Sequence, residues 1–241
     1  MQIIIVKDKK QVGHEAFKII HDTIIKTPDA NLGLATGSTP VDLYAFLVEA
    51  YKQREISFKE VSTCNLDEYV GLRQDHPQSY YAFMRKHLFD HVDIDLGKTY
   101  IPDGMAPDLE NECLRYESLL MLHPIDVQIL GVGSNGHIGF NEPWTPFDSI
   151  THIIKLEQQT REDNTRFFDD IEEVPTHAIT MGIASIMRAK KIVLMATSTQ
   201  KAHAIKTMIE GPVTESCPAS VLQTHPDVVV IIDKEAASEL G

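Results

Sequence analysis

The chain opens on Gln2-Ile3-Ile4-Ile5-Val6, a short apolar run that reads as a strand, and then changes rhythm. From Lys10 to Lys26 the apolar side of the chain falls at Val12, Ala16, Ile19, Ile20, Thr23 and Ile24, the spacing of a helical face. The exchange then repeats. Asn31 to Ala35 is a second strand, Val41 to Tyr51 a helix with Leu43, Phe46, Leu47 and Ala50 inward, Val61 to Leu66 a third strand, and Ser79 to Phe89 a helix capped by Ser79. Asp108 to Leu122 carries Leu109, Cys113, Tyr116 and Leu120 on one face, and Asp126 to Leu130 is short and β-branched enough for a buried strand. Strand-like runs return at Thr151 to Leu156, Ala178 to Met181, Ile192 to Ala196 (with a helix after it to Ile209) and Val228 to Ile232, which is expected to close the sheet before a short helix, Lys234 to Leu240. Strands alternating with helices over 241 residues, with no linker or repeat, predict one α/β domain, residues 1–241.

The segments between these elements carry the chemistry. Leu130 to Pro143 follows a strand directly and has glycines at 131, 133, 136 and 139, more backbone freedom than a connecting loop needs. Asn135, His137 and Glu142 share this loop, and an imidazole oriented by a carboxylate is suited to moving protons near neutral pH. After the second strand, Thr36-Gly37-Ser38-Thr39-Pro40 places two hydroxyls and free N–H groups at a helix start, with Thr39 as the expected N-cap and Pro40 in the first turn. That is an anion site in outline, or an ordinary capped helix; it is not a Walker loop. Asp67 and Glu68 end the third strand, where open α/β sheets bind ligands; adjacent strand residues point oppositely, so at most one of the two faces the pocket, and Asp67 is chosen. Gln158 to Val174 is polar and lacks apolar periodicity, which marks residues 156–176 as a candidate lid with Arg161 and Arg166 as cations able to reach over a pocket. Lys201 lies in the first turn of the helix after Ala196, against the macrodipole unless an anion sits there.

Charge and cysteine usage narrow the partners. A net charge of −13 disfavours nucleic acid and would repel an anionic substrate from anything but a local cationic pocket. Three cysteines without CxxC spacing suggest neither disulfides nor zinc, and no cluster has metal-ligand spacing. No stretch approaches membrane-spanning length and no basic segment precedes the first strand, so a cytoplasmic protein without membrane contact is expected.

In order along the chain, Leu34-Ala35-Thr36-Gly37-Ser38-Thr39-Pro40, Asn65-Leu66-Asp67-Glu68-Tyr69-Val70-Gly71-Leu72, Gly136-His137-Ile138-Gly139-Phe140-Asn141-Glu142-Pro143 and Ser198-Thr199-Gln200-Lys201-Ala202 resemble the glucosamine-6-phosphate deaminase family. The resemblance implies a Rossmann-like, mostly parallel open sheet with helices on both faces. It also implies conversion of glucosamine 6-phosphate and water to fructose 6-phosphate and ammonia, in amino-sugar catabolism, with no metal or organic cofactor. By the same resemblance Asp67 is the enolisation base and His137 the ring-opening base, assisted by Glu142, while Gly37, Ser38, Thr39, Arg166 and Lys201 bind substrate. Some members carry Asp where this chain has Asn135; an amide still orients the ring, and Asn135 is given a supporting catalytic part. The related 6-phosphogluconolactonases lack the Asn-Glu-Pro ending, and a non-catalytic sugar-phosphate sensor would leave Asp67 and Glu142 unused. In longer, hexameric members an Arg and a Lys bind an activator phosphate; the corresponding positions here are His152 and Ile154, and the chain stops at Gly241 without their C-terminal extension. A monomer or small homo-oligomer without allostery is therefore expected.

Overall fold

Buried apolar runs and amphipathic helices alternate through the computed structural model, which describes residues 1–241 apart from Glu157, Arg166, Phe167 and Asp169 and the side chains of Gln159, Thr160, Asp163 and Asn164. The strands are β1 (Gln2–Val6), β2 (Asn31–Leu34), β3 (Ser62–Asn65), β4 (Asp67–Tyr69), β5 (Thr99–Tyr100), β6 (Val127–Leu130), β7 (His152–Lys155), β8 (His177–Thr180), β9 (Lys191–Ala196) and β10 (Val228–Asp233). The helices are α1 (Lys9–Lys26), α2 (Val41–Lys52), α3 (Tyr80–His87), α4 (Leu109–Leu122), α5 (Gln158–Thr165), α6 (Ile183–Met187) and α7 (Ala202–Glu210). Seven strands form one sheet in the order β1-β10-β9-β6-β2-β3-β5, with every pairing parallel.

This order decides where a ligand can bind. From β2 the chain moves outward through α2 to β3, whereas from β6 and β9 it returns toward β10, so with right-handed crossovers α1 and α2 cover one face and α4, α6 and α7 the other. The direction reverses between the neighbours β2 and β6. The loops leaving their carboxyl ends therefore diverge and open a crevice at the switch point. Fully buried Leu32, Leu34, Ile129, Leu130 and Leu194 hold this part of the sheet between its helix layers.

Three expectations about strands are corrected. The runs around β7 and β8 do not join the parallel sheet; they pair antiparallel with β4 in a separate sheet ordered β4-β8-β7. Asp67 therefore lies on a strand of its own, opposite Thr180, rather than at the end of β3. β10 does not close the sheet either. It is buried along its whole length between β1 and β9, and β1 takes the edge with Ile3 and Ile5 exposed. At the chain's end the expected helix is a series of turns, with Ala237 N donating to Asp233 O (3.0 Å). Asp8 and Ser79 cap α1 and α3 through their side chains. For α2, Pro40 occupies the capping position with no side-chain bond, so Thr39 is not spent on the helix and lines the crevice.

No helix among the described residues is long and apolar enough to cross a membrane.

Candidate active site

The loops at the carboxyl ends of β2, β3, β6 and β9 enclose a cavity of about 740 Å³. Ala35 to Pro40 line one wall, Leu66, Asp67, Tyr80, Gly139 and Phe140 another, Gly131 to Ser134 with His137 a third, and Thr197, Ser198, Gln200 and Lys201 the last. Asp67, His137, Ser38, Thr39 and Lys201, drawn from positions 38 to 201 of the chain, thus share one wall-to-wall space.

The glycine-rich loop is built around the His137 ring. Gly133 N donates to His137 O (2.9 Å) and Gly136 N to Gly133 O (3.1 Å), which folds the segment back on itself. A Cβ placed on Gly133 would fall 2.6 Å from His137 Cγ and closer still to Nδ1, so the ring rests on the bare backbone of this glycine. Buried Asn141 pins the far side of the loop to the small sheet, its Nδ2 donating to Ile138 O (2.9 Å) and Met181 O (2.8 Å).

Behind the ring, Glu142 Oε2 lies 3.4 Å from His137 Nδ1. The pair is within reach of an ion pair, but its geometry is short of a hydrogen bond, and Nδ1 is buried without one. The same Glu142 oxygen accepts from Asn135 Nδ2 (2.7 Å), while Asn135 Oδ1 accepts from His137 N (3.2 Å). A backbone N–H can donate only to the amide oxygen, so the Asn135 side chain has one permitted orientation and must present its NH₂ to Glu142. Neither Asn135 nor Glu142 lines the cavity: Glu142 lies behind the ring, and Asn135 touches Glu142 and the His137 backbone. An Asp at position 135 would set two carboxylates on one another, and the amide removes that competition.

Asp67 is 6 % exposed and accepts no hydrogen bond among the described residues. Burial, and then the charge of neighbouring Glu68, push its carboxyl up to about 8. Glu68 is differently furnished. Its carboxylate points away from the cavity and accepts from the N–H groups of Tyr69 (2.8 Å), Tyr80 (3.0 Å) and Tyr81 (3.0 Å). Burial raises Glu68 too, but these three donors favour its ionised form, so of the coupled pair Asp67 is the one that keeps its proton to higher pH. Through the same bonds Glu68 holds the start of α3 and with it Tyr80, whose ring packs 4.7 Å from Tyr69 and lies nearly parallel to Phe140 on the wall beside Asp67.

At the opposite end Gly37 has φ +94° with nothing near its missing side chain, so the positive φ alone calls for glycine there. Lys201 ends a 3-10 turn, Thr199–Lys201, that precedes α7, and Ser198 before it also has positive φ. Arg166 lies outside the described residues. Arg161 does not reach over the cavity: its Nη2 donates to Ile171 O (2.8 Å) and Val174 O (3.1 Å), bracing its own segment. Gly133, Ser198 and Gln200 were read in the sequence only as parts of their loops, with no role of their own, and Tyr80 only as part of a helix, since the contacts that matter are with residues distant in the chain. Among the described residues no group of three His, Cys, Asp or Glu side chains could hold a metal ion.

A family model described as glucosamine-6-phosphate isomerases/6-phosphogluconolactonase matches residues 8–231. The chain is 52% identical over 239 residues to the glucosamine-6-phosphate deaminase of Bacillus pumilus, covering 99% of both chains. It is 52% identical over 240 residues to that of Streptococcus uberis, covering 100% of both. The solved structure of a monomeric glucosamine-6-phosphate deaminase matches it with a TM-score of 0.97 and 46% identity over 99% of both chains. A parallel seven-stranded sheet, a crevice at its switch point and half-identity along the full length agree: the chain belongs to the glucosamine-6-phosphate deaminase family.

Proposed function

We propose that this cavity converts glucosamine 6-phosphate and water to fructose 6-phosphate and ammonia, with Asp67 as the carbon acid's base and the His137–Glu142–Asn135 group opening the sugar ring. The observation that carries this reading is one carboxylate, buried and without a hydrogen-bond partner among the described residues, facing the same cavity as an imidazole and an ammonium group. Phosphate held by the Gly37-Ser38-Thr39 loop and Lys201, with Arg166 as the second cation, fixes one end of the open-chain sugar and lays its first carbons along the other walls. His137 takes the proton from the anomeric hydroxyl as the ring opens, and Glu142 stabilises the imidazolium that results. Asp67 then removes the proton from C2 to form an enolamine and returns a proton to C1, which leaves an iminium at C2; water adds there, and ammonia leaves. A buried carboxylate that has lost its solvation is a stronger base than one in water, which suits it to a carbon-bound proton.

We take residues 156–176, of which Glu157, Arg166, Phe167 and Asp169 lie outside the described residues, as the candidate lid, and the enzyme to work in the cytoplasm as a monomer or small homo-oligomer. A monomeric relative matched over 99% of both chains supports the oligomeric reading. The direct test is ammonia release on adding glucosamine 6-phosphate to purified protein, alongside hydrolysis of 6-phosphogluconolactone. Ammonia without lactone hydrolysis is the expected result; the reverse would assign the pocket to lactonase chemistry.

A further inference from the structure

Ser198 stands in a conformation that its side chain opposes. Its φ of 79° with ψ of 154° falls in a region occupied almost only by glycine. Among the described residues Arg54 and Trp144 are the other non-glycines with positive φ, and Ser198 alone of the three lines the cavity. Such a conformation persists only where its surroundings hold it, and the holder is visible. Ser198 N donates to both carboxylate oxygens of Asp233, at 3.2 Å each.

Asp233 is well placed to hold on. It is buried, it is the last residue of β10, and the register of β10 with β9 sets it one step beyond the Ile232–Ala196 pair, beside the chain as it leaves β9. Its Oδ1 also accepts from Ala236 N (2.8 Å), and its backbone pairs with Val6 of β1. The carboxylate is thus held by the N–H groups of Ser198 and Ala236, and the backbone that carries it by β1. On the other side of the strained peptide, Ser198 O accepts from Lys201 N (3.1 Å), so the same residue starts the tight turn that carries Gln200 and Lys201 to the cavity wall.

We infer that Asp233 is a positioning residue: its carboxylate clamps the Ser198 peptide in a strained conformation, and that conformation sets the turn that presents Lys201 to the substrate phosphate. The inference rests on the proposed reading of this end of the cavity as the phosphate site. Asp233 touches no substrate and acts only through Ser198.

The test uses four variants of the full chain: Asp233→Asn, Ser198→Gly, Ser198→Ala and the double variant Asp233→Asn/Ser198→Gly. Steady-state kinetics with glucosamine 6-phosphate and calorimetric titration with fructose 6-phosphate report binding, and thermal melting reports strain. An amide nitrogen at Oδ2 would set one donor against another, so Asp233→Asn should raise KM and the product Kd about tenfold with kcat changed less than about twofold. Glycine adopts the observed φ without cost, so Ser198→Gly should melt above Ser198→Ala and, in the double variant, restore most of the affinity lost in Asp233→Asn. Native KM in folded Asp233→Asn, a double variant no better than Asp233→Asn, or Ser198→Gly melting no higher than Ser198→Ala would each overturn the clamp. The melting comparison stands even where Asp233→Asn does not fold. Wild-type protein that binds no fructose 6-phosphate would instead overturn the reading of the pocket.

Discussion

Gly133→Ala is the smallest change that should disable the site while sparing the fold. Gly133 does not have positive φ, so an alanine meets no backbone penalty there, and the whole effect comes from its Cβ. That atom would lie 2.6 Å from His137 Cγ, whereas carbon atoms settle at about 3.5 Å, so the ring must retreat by roughly 1 Å. Backbone gives it little room, because Gly133 N is bonded to His137 O at 2.9 Å. The ring must therefore swing on its side-chain bonds and lose its 3.4 Å approach to Glu142 or its place in the cavity. A displacement of about 1 Å at a proton-transferring group costs on the order of 100-fold, and the loss should fall on kcat because ring opening, not phosphate binding, is disturbed. Gly37→Ala is the contrasting control: at φ +94° in open space it strains the backbone and clashes with nothing, so it should lower the melting temperature rather than displace the imidazole. The assay is coupled ammonia release across substrate concentration, with thermal melting in parallel. Gly133→Ala protein with native melting and kcat within about threefold of wild type would refute the packing argument.

Other consequences follow from the same geometry. Lys201→Ala and Arg166→Ala should each weaken substrate binding by about ten- to a hundredfold through loss of a charge-assisted bond to phosphate, measured by calorimetry with fructose 6-phosphate; native affinity in both would move the phosphate elsewhere. Asp67→Asn should stabilise the protein, more at pH 8 than at pH 4. The folded carboxyl is pushed up to about 8 against about 3.9 unfolded, so between these values the native state holds the extra proton and stability falls as pH rises, a penalty the amide does not carry. Melting curves of the two proteins that stay parallel from pH 4 to 8 would contradict the buried, proton-holding state. The rate curve should be hyperbolic and unmoved by N-acetylglucosamine 6-phosphate, since His152 donates its ring to Ile150 O (2.8 Å) and Ile154 packs into the small core, leaving neither as a fixed cation; a sigmoidal curve relieved by that compound would show an activator site.

What could be read from the sequence was whatever depends on neighbours in the chain. The apolar runs of β9 and β10 are continuous and that of β6 is broken only by Gln128, because parallel strands bury both faces, and they were legible for that reason. The loops following them carried the site residues, and Asp67 rather than Glu68 faces the cavity, as alternation along a strand requires. Pairing was not legible. Nothing local distinguishes β7 and β8, which pair antiparallel with β4, from strands of the main sheet, and nothing local puts β1 rather than β10 at the edge. The two-residue β5 is too short for any periodicity, and Thr39 looked like a cap because its chemistry serves a helix and an anion equally well. The missed site residues share one cause: Gly133 is defined by the ring it supports, Tyr80 by the carboxylate that holds its backbone, and Ser198 by Asp233, 35 positions away.

The central claim is that Asp67 moves the proton between C2 and C1. Wild type and Asp67→Asn should be compared in deuterated water with glucosamine 6-phosphate, following ammonia and the deuterium content of both carbons by NMR, with fructose 6-phosphate binding measured on the same preparations. Wild type should release ammonia and place solvent deuterium on the product's C1, while the variant binds fructose 6-phosphate with near-native affinity and neither releases ammonia nor incorporates deuterium. Deuterium appearing at the native rate in the variant would remove Asp67 from the reaction.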